Sequence, residues 1–320
     1  MAETAVPETT GVVEIPASKA KRIIRAVSWT FLGLLFLTVF TLMKLPEERL
    51  KNYIQGSVSA ALAPRGITLS AGNTHLSFGI GITYVMNDVT LSFPPPDASA
   101  HIDKIEVSPS LLPLLIGRIG GKVWLRNSDG KAVGSFSMKG SQMSASFDAT
   151  KLDIGKLGLL PALAGVKASA IVNGTVDFSG DMNEPRNDSG QIDLQLDKIV
   201  FDQQSIQGFS IPRVFISEGK IEVSVENGKA TFKTVRLGKS DTDDIRASVT
   251  GDLTLGKIID ASTINARTTL SFSQNFMHSF GSFSLLESMA LAPGKQADGS
   301  YAFNLTGQLG SLQANPAGGK

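Results

Sequence analysis

From residue 67 onward, apolar side chains recur at every second position, and this period narrows most sharply what the chain can fold into. Ile67 and Leu69 alternate with polar neighbours, as do Leu76 and Phe78, and then Val89, Leu91 and Phe93. Ile102, Ile105 and Val107 follow. Further on come Val176 and Phe178; Ile192, Leu194 and Leu196; Ile221, Val223 and Val225; and Tyr301, Phe303 and Leu305. Side chains two apart on an extended chain share a face, so this is the pattern of half-buried β-strands. Four Asx-Gly pairs punctuate it: Asp129-Gly130, Asn173-Gly174, Asn227-Gly228 and Asp298-Gly299. Such pairs supply the positive φ of tight hairpin turns. The clearest hairpin runs Lys220–Glu226, Asn227-Gly228, Lys229–Leu237. Strands at this spacing, with no long helix between them, predict a mainly antiparallel sheet. A faint Gly-then-β repeat (Asn173–Phe178, Thr250–Leu255, Thr306–Leu309) fits a sheet extended by similar hairpins.

Three apolar stretches interrupt the strand pattern: Ser110–Ile119, Leu152–Leu163 with Pro161, and the weakly helical Phe276–Leu291. The first two read as plugs at the ends of a sheet or sandwich, with a contact to lipid tails as the alternative. Ahead of the strands, Pro46-Glu47-Glu48-Arg49 opens a helix, because Pro is tolerated early and acids suit the first turn. Leu50, Tyr53, Ile54, Val58, Ala61 and Leu62 recur at helical spacing, and Pro64 and Gly66 end the run. An amphipathic helix over residues 46–63 is expected, lying as a lid on the domain core.

One stretch differs from everything else. Residues 26–43 read AVSWTFLGLLFLTVFTLM, without a charge, between Arg25 and Lys44. About 20 apolar residues cross a bilayer as a helix, and the stems of Arg25 and Lys44 make up the shortfall. Trp29 near one end suits the membrane interface. The residues after it, Lys44-Leu45-Pro46-Glu47-Glu48, offer no small-residue cleavage site, so a retained signal anchor is expected rather than a removed leader. Lys19, Lys21, Arg22 and Arg25 precede the segment and keep that side in the cytoplasm. The reading divides the chain into a cytoplasmic tail (1–25), an anchor (26–43), an extracytoplasmic β-rich domain (44–314) and a frayed tail (315–320).

Composition excludes whole classes of function. With 30 Lys+Arg against 29 Asp+Glu the formal charge is +1, and nucleic acid is not expected as a partner. There are no cysteines, so disulfides, thiolate metal sites and cysteine nucleophiles are excluded. The three histidines leave little for imidazole catalysis. No G-x-S-x-G, P-loop or H-E-x-x-H is present. His101 and Asp103 share a strand face without a nucleophile motif. Asp241-Thr242-Asp243-Asp244 lacks the Gly and closing Glu of a calcium loop and reads as a solvated turn. No catalytic residue, metal site or cofactor is expected.

What remains is the sheet itself. Ile192, Leu194 and Leu196, with Ile221, Val223 and Val225, fall on one apolar face that something has to cover. A second sheet, making an ordinary sandwich core, is the first expectation, and a lipid-filled groove is the alternative.

The order of these features resembles a known family. A signal anchor precedes Leu45-Pro46-Glu47-Glu48-Arg49-Leu50-Lys51-Asn52-Tyr53-Ile54. A Gly66-Ile67-Thr68-Leu69 strand, the Val107–Val123 strand, Leu-rich turn and strand, a run of hairpins and a closing Tyr301–Leu309 strand follow. Over roughly residues 26–310 this resembles the type II secretion system protein N family, and it is similar to the amino-terminal region of AsmA-like envelope proteins. The first resemblance implies a non-catalytic, single-pass inner-membrane subunit accessory to protein secretion, with its C-terminal domain in the periplasm and other envelope subunits as partners. The second implies a curved sheet with an apolar concave face that handles phospholipid. The fold expected is therefore mainly β: one transmembrane helix, a short juxtamembrane helix, then an antiparallel curved sheet or sandwich.

Overall fold

The protein was analysed as a computed structural model. It describes residues 66–317 apart from 79–80, 94–97, 111–112, 114–116, 159, 162–164, 182, 207 and 257, together with scattered positions between 48 and 63. The anchor segment and its flanks Arg25, Trp29 and Lys44 lie outside the described residues. Among the described residues no helix is long and apolar enough to cross a membrane. Within 46–63 the described positions Glu48, Asn52, Gly56, Ser59 and Ala60 are helical.

The alternation produces the strands the sequence predicts. In chain order they are β1 (Thr68–Phe78), β2 (Ile82–Phe93), β3 (Ala98–Pro109), β4 (Ile119–Asn127), β5 (Gly130–Lys139), β6 (Gln142–Asp153), β7 (Ala168–Asp181) and β8 (Ser189–Phe201). A short hairpin of β9 (Gln204–Ile206) and β10 (Phe209–Ile211) intervenes. Then follow β11 (Val214–Glu226), β12 (Lys229–Leu237), β13 (Ile245–Thr254), β14 (Thr263–Phe272), β15 (Tyr301–Gln308) and β16 (Gln313–Pro316). All but β9 and β10 form one 14-stranded antiparallel sheet in which each strand pairs with its neighbours along the chain. The second large sheet that a sandwich needs is not found among the described residues, where the other sheet is the two-stranded β9–β10 pair.

Pairing register separates the two faces sharply. One cross-strand row runs Leu76, Tyr84, Val107, Val123, Gly134, Phe147, Val176, Ile192, Val223, Phe232, Gly251, Ala266, Leu305 and Ala314. It crosses every strand of the sheet, and its one polar atom is the Tyr84 hydroxyl. On the opposite face a row runs Ser108, Lys122, Ser135, Ser146, Asp177, Gln191, Ser224, Thr231, Asp252, Asn265, Thr306 and Gln313, with no apolar member. A one-residue slip anywhere would exchange the faces, so the alternation itself locks the register.

The sheet is rolled. Helix α1 (Ile154–Leu157) leaves the end of β6 and packs against both β7 and β3. In a flat sheet β3 and β7 would lie ~19 Å apart, at ~4.8 Å per strand. The four-residue helix spans only ~6 Å. Even so, a methyl group added at Gly158, which closes it, would sit 2.4 Å from the Ser99 carbonyl oxygen. The apolar face therefore lines the concave side.

Both described plugs of the concave side lie at one rim, where β6 ends and β7 begins. Asp153 caps α1 by accepting from the Gly155 and Lys156 amides at 3.1 Å each, and Leu157 is fully buried. The second plug connects β14 to β15 through α2 (Gln274–Ser279), α3 (Phe283–Leu286), a π-helical turn (Glu287–Leu291) and a 3₁₀ turn (Ala292–Gly294). Its Phe276, Phe280 and Phe283 form one buried cluster with Ala170, Ile199, Val214 and Ile216 of the sheet. Phe272 stacks on Phe276 at 5.7 Å and meets Phe283 edge-on at 5.3 Å. Both plugs stand where the sequence places apolar interruptions.

Two details differ from the sequence expectation. Asn227-Gly228 does form a two-residue turn, with φ 52° and 70°. Asn173-Gly174, however, lies in the middle of β7. Gly174 has φ 131°, and a Cβ there would meet the Asp193 carbonyl oxygen at 2.0 Å. Gly251 repeats this in β13, with φ 136° and a carbonyl at 2.4 Å. The Gly-then-β repeat thus marks strand positions where a neighbouring backbone comes too close for a side chain. At the other end, Asn315 and Pro316, read from sequence as frayed, belong to β16.

Candidate functional site

The concave face is the candidate site, and it is built from pleat geometry alone. Ile192 and Leu194 of β8 stand directly opposite Val223 and Ile221 of β11. Val225 faces Gly190, and Leu196 faces Gly219. All six residues singled out from the sequence therefore share one face. Val223 is buried, Leu196 packs against the Phe276 cluster, and Ile192, Leu194, Ile221 and Val225 are half-buried.

The face extends beyond those six. On β5, β6 and β7 it carries Phe136, Phe147, Val176 and Phe178, with Phe136 at 42% and Phe147 at 37% exposure. Sequence reading passes over Phe136 and Phe147 because serines surround them. The signal was nonetheless present in Gly134-Ser135-Phe136-Ser137-Met138 and Met143-Ser144-Ala145-Ser146-Phe147, strict alternations in which serine marks the wet face.

A cavity of about 670 Å³ is lined by the row Gly121, Phe136, Ala145, Phe178, Gly190 and Val225 and by residues of the polar face on either side of it, among them Lys122, Ser135, Ser144, Ser146, Asp177 and Gln191. That volume is within the range of about 300–1,000 Å³ found for small-ligand sites. At the rim opposite the plugs, Ile119 stands 52% exposed beside Phe136. Among the described residues the trough is plugged at one rim and apolar as far as Ile119 at the other, where most of the Ser110–Ile119 stretch lies outside the described residues. A contiguous half-exposed apolar surface of this kind marks a binding surface rather than an ordinary exterior.

The polar groups near the trough are committed to structure. Asp243 is buried and accepts from the Ser217, Lys239 and Ser240 amides at 2.6, 2.8 and 2.9 Å, and from the Ser217 hydroxyl at 2.9 Å. Burial pushes its pKa up, but the hydrogen bonds, led by the Ser217 amide, outweigh this and hold it below its usual value. Asp244 accepts from the Phe215 amide, and Asp241 pairs with Arg246. The acidic run is therefore a latch between loop and strand: it lies in a turn as the sequence suggests, but Asp243 is buried rather than solvated, because amides and a hydroxyl replace its water. His101 and Asp103 stand 3.8 Å apart and about half exposed. Asp103 also accepts from the Ser128 amide at 2.6 Å, so the pair closes a surface turn. Among the described residues no three His, Cys, Asp or Glu side chains gather as metal ligands.

The plug is pinned by a second polar cluster. Tyr301 donates to Glu287 at 2.7 Å, and the Lys295 ammonium donates to the same oxygen at 2.7 Å. Burial, aided by the Glu287 contact, pushes the Tyr301 hydroxyl up to about 12. Hydrogen bonds from Lys295 and then Tyr301 hold Glu287 below its usual value. No family model, no curated protein and no solved structure matches this chain.

Proposed function

We propose that this chain is a non-catalytic, membrane-anchored lipid-handling protein that lays acyl tails along the open concave face of its sheet. The observation that carries the reading is the row Phe136, Ala145, Phe178, Gly190 and Val225: apolar on every strand, with Phe136 exposed and the other four only part-buried. An acyl tail there needs no polar partner, and each methylene withdrawn from water contributes about 0.8 kcal/mol. Residues 26–43 would hold the chain in the inner membrane, with the sheet on the periplasmic side, which the basic flank of that segment supports.

The test is native mass spectrometry of the full chain purified in mild detergent from a bacterial envelope fraction. Phospholipid retained in stoichiometric amount supports the reading, and a lipid-free protein counts against it.

The resemblance to the secretion-system family supports a second reading, an accessory subunit that pairs strands with other envelope proteins. β1 favours it: this 11-residue edge strand contains neither Lys nor Pro, the residues that commonly blunt an edge. Crosslinking from introduced cysteines along β1 in intact cells separates the two, because a secretion subunit gives a discrete protein adduct and a lipid carrier gives none.

A further inference from the structure

The plug between β14 and β15 is an insertion that the sheet does not need for its pairing. Leu270 of β14 stands directly opposite Tyr301 of β15, so the strands themselves fix the two ends of the insertion side by side. From Gln274 to Gly294 the chain runs through two short helices, a π-helical turn and a 3₁₀ turn, none longer than six residues. Among the described residues no backbone hydrogen bond of this segment reaches the sheet. One side-chain hydrogen bond does, from the Tyr301 hydroxyl to Glu287 at 2.7 Å. Otherwise the segment is held by apolar contact, with Phe276, Phe280 and Phe283 seated on Ala170, Ile199, Val214 and Ile216. Along β7, β8 and β11 those four follow the row Val172, Leu196 and Gly219 toward the rim, on the same concave face. Leu285 and Met289 of the segment are exposed, so amphipathicity does not fix which side of it faces the sheet.

We propose that this insertion is a displaceable occupant of the trough: its three phenylalanines hold the plugged part of the concave face until an apolar ligand takes their place, and the segment then lifts on its two fixed ends. The inference rests on the reading of the concave face as a binding surface and adds its regulation. Three phenyl rings seated on a β-face do there what an apolar ligand would do, so plug and ligand compete for one floor. Lifting breaks no strand pairing, and ends that already stand side by side need no further loop closure. What resists it is the apolar contact and the Tyr301 bond to Glu287, whose carboxylate Lys295 also holds at 2.7 Å. Weakening that latch while sparing the floor raises the share of the open form, and with it the apparent affinity.

The chain contains no cysteine, so one introduced thiol reports on one place. Val214→Cys sets a thiol on the floor beneath the plug, and Val89→Cys sets one at a buried position of β2 outside that cluster. The full chain, held in amphipol so that no free micelle competes, is titrated with pyrene-labelled hexadecanoic acid. Maleimide labelling of each thiol is timed with and without this probe. The expected result is labelling about tenfold faster at Val214→Cys when the probe is bound, with no change at Val89→Cys. Tyr301→Phe removes the donor of the latch, and it should bind the probe about threefold to tenfold more tightly than the parent although it melts lower. A plug that is only structural gives neither effect, since a loosened variant then binds no better and added cover slows labelling. Ala170→Cys, on the same floor, repeats the measurement where Val214→Cys folds poorly. Unchanged or slower labelling with the probe bound overturns the displaceable plug and leaves the binding surface standing. Equal affinity of the parent and Tyr301→Phe overturns it too. Binding of the probe to neither chain overturns both readings.

Discussion

Tyr301 and Glu287 meet across 2.7 Å where β15 emerges from the plug, and this bond joins the helical segment to the sheet it covers. Its two groups titrate at opposite ends of the pH scale. Glu287 sits below its usual 4.5 in the folded protein, so its contribution is complete above that value and is lost as pH falls through the depressed folded pKa. Tyr301 is raised from 10.0 to about 12, so its contribution is complete below 10 and is lost as pH climbs toward 12. Melting followed by circular dichroism should fall away in both windows. Tyr301→Phe should remove the alkaline window and weaken the acid one.

The three buried phenylalanines of the plug should matter more than any charge. Phe276→Ala removes a ring that packs on Phe272, Phe280 and Phe283 and should destabilise the rim by about 3–5 kcal/mol. Because β1 to β6 do not share that cluster, hydrogen exchange should show amides of residues 274–294 opening first while β2 and β3 stay protected.

Asp243 holds three amides and a hydroxyl of the loop between β12 and β13 and of β11. Asp243→Ala leaves those donors without their acceptor and should cost about 2–4 kcal/mol. Urea unfolding with unchanged m-value would register it. An Asn replacement should recover only part of the loss, since its NH₂ group faces donors.

Leu194 and Val223 discriminate an open face from a closed one. Val223 is 7% exposed, so Val223→Asp buries an unpaired charge and should unfold the region around β8 and β11. Leu194 is only half-buried, so Leu194→Asp should lower the melting temperature by a few degrees yet abolish retained lipid. Equal, severe unfolding by both would mean that the face is closed by protein.

Gly251→Ala should destabilise by about 2 kcal/mol or more, because φ is 136° and the new Cβ meets the Asn265 carbonyl at 2.4 Å. Gly140→Ala in the β5–β6 turn also has positive φ but open space around it, and should cost less. Paired thermal melts would check the order.

Much of this architecture can be read from the alternation, because a period of two both names a strand and assigns its faces. Ile192, Leu194, Ile221 and Val223 fall into register as that rule requires, and Asn227-Gly228 turns where it should. The mid-strand glycines mislead because Gly174 signals positive φ equally well in a turn and at a close strand approach. Whether the face is covered is a property of the whole sheet. Nothing local in Leu194 says whether a second sheet lies above it, and only the joining of fourteen of the described strands into one sheet answers that.

The nearest-neighbour order of the sheet makes its size a free variable. Among the described residues no strand of the large sheet pairs with a distant part of the chain, so no long-range pairing fixes the number of strands. Inserting one more hairpin between any two would lengthen the concave surface by ~10 Å, at ~4.8 Å per strand, and return the chain to the rim it left. Duplication of a single hairpin could thus extend the surface in discrete steps, preserving both the plugged rim and the apolar mouth. Thirteen spacings of that size give the present sheet a contour of ~60 Å. A protein of this plan can match the length of its cargo by changing how many times one gene segment is repeated.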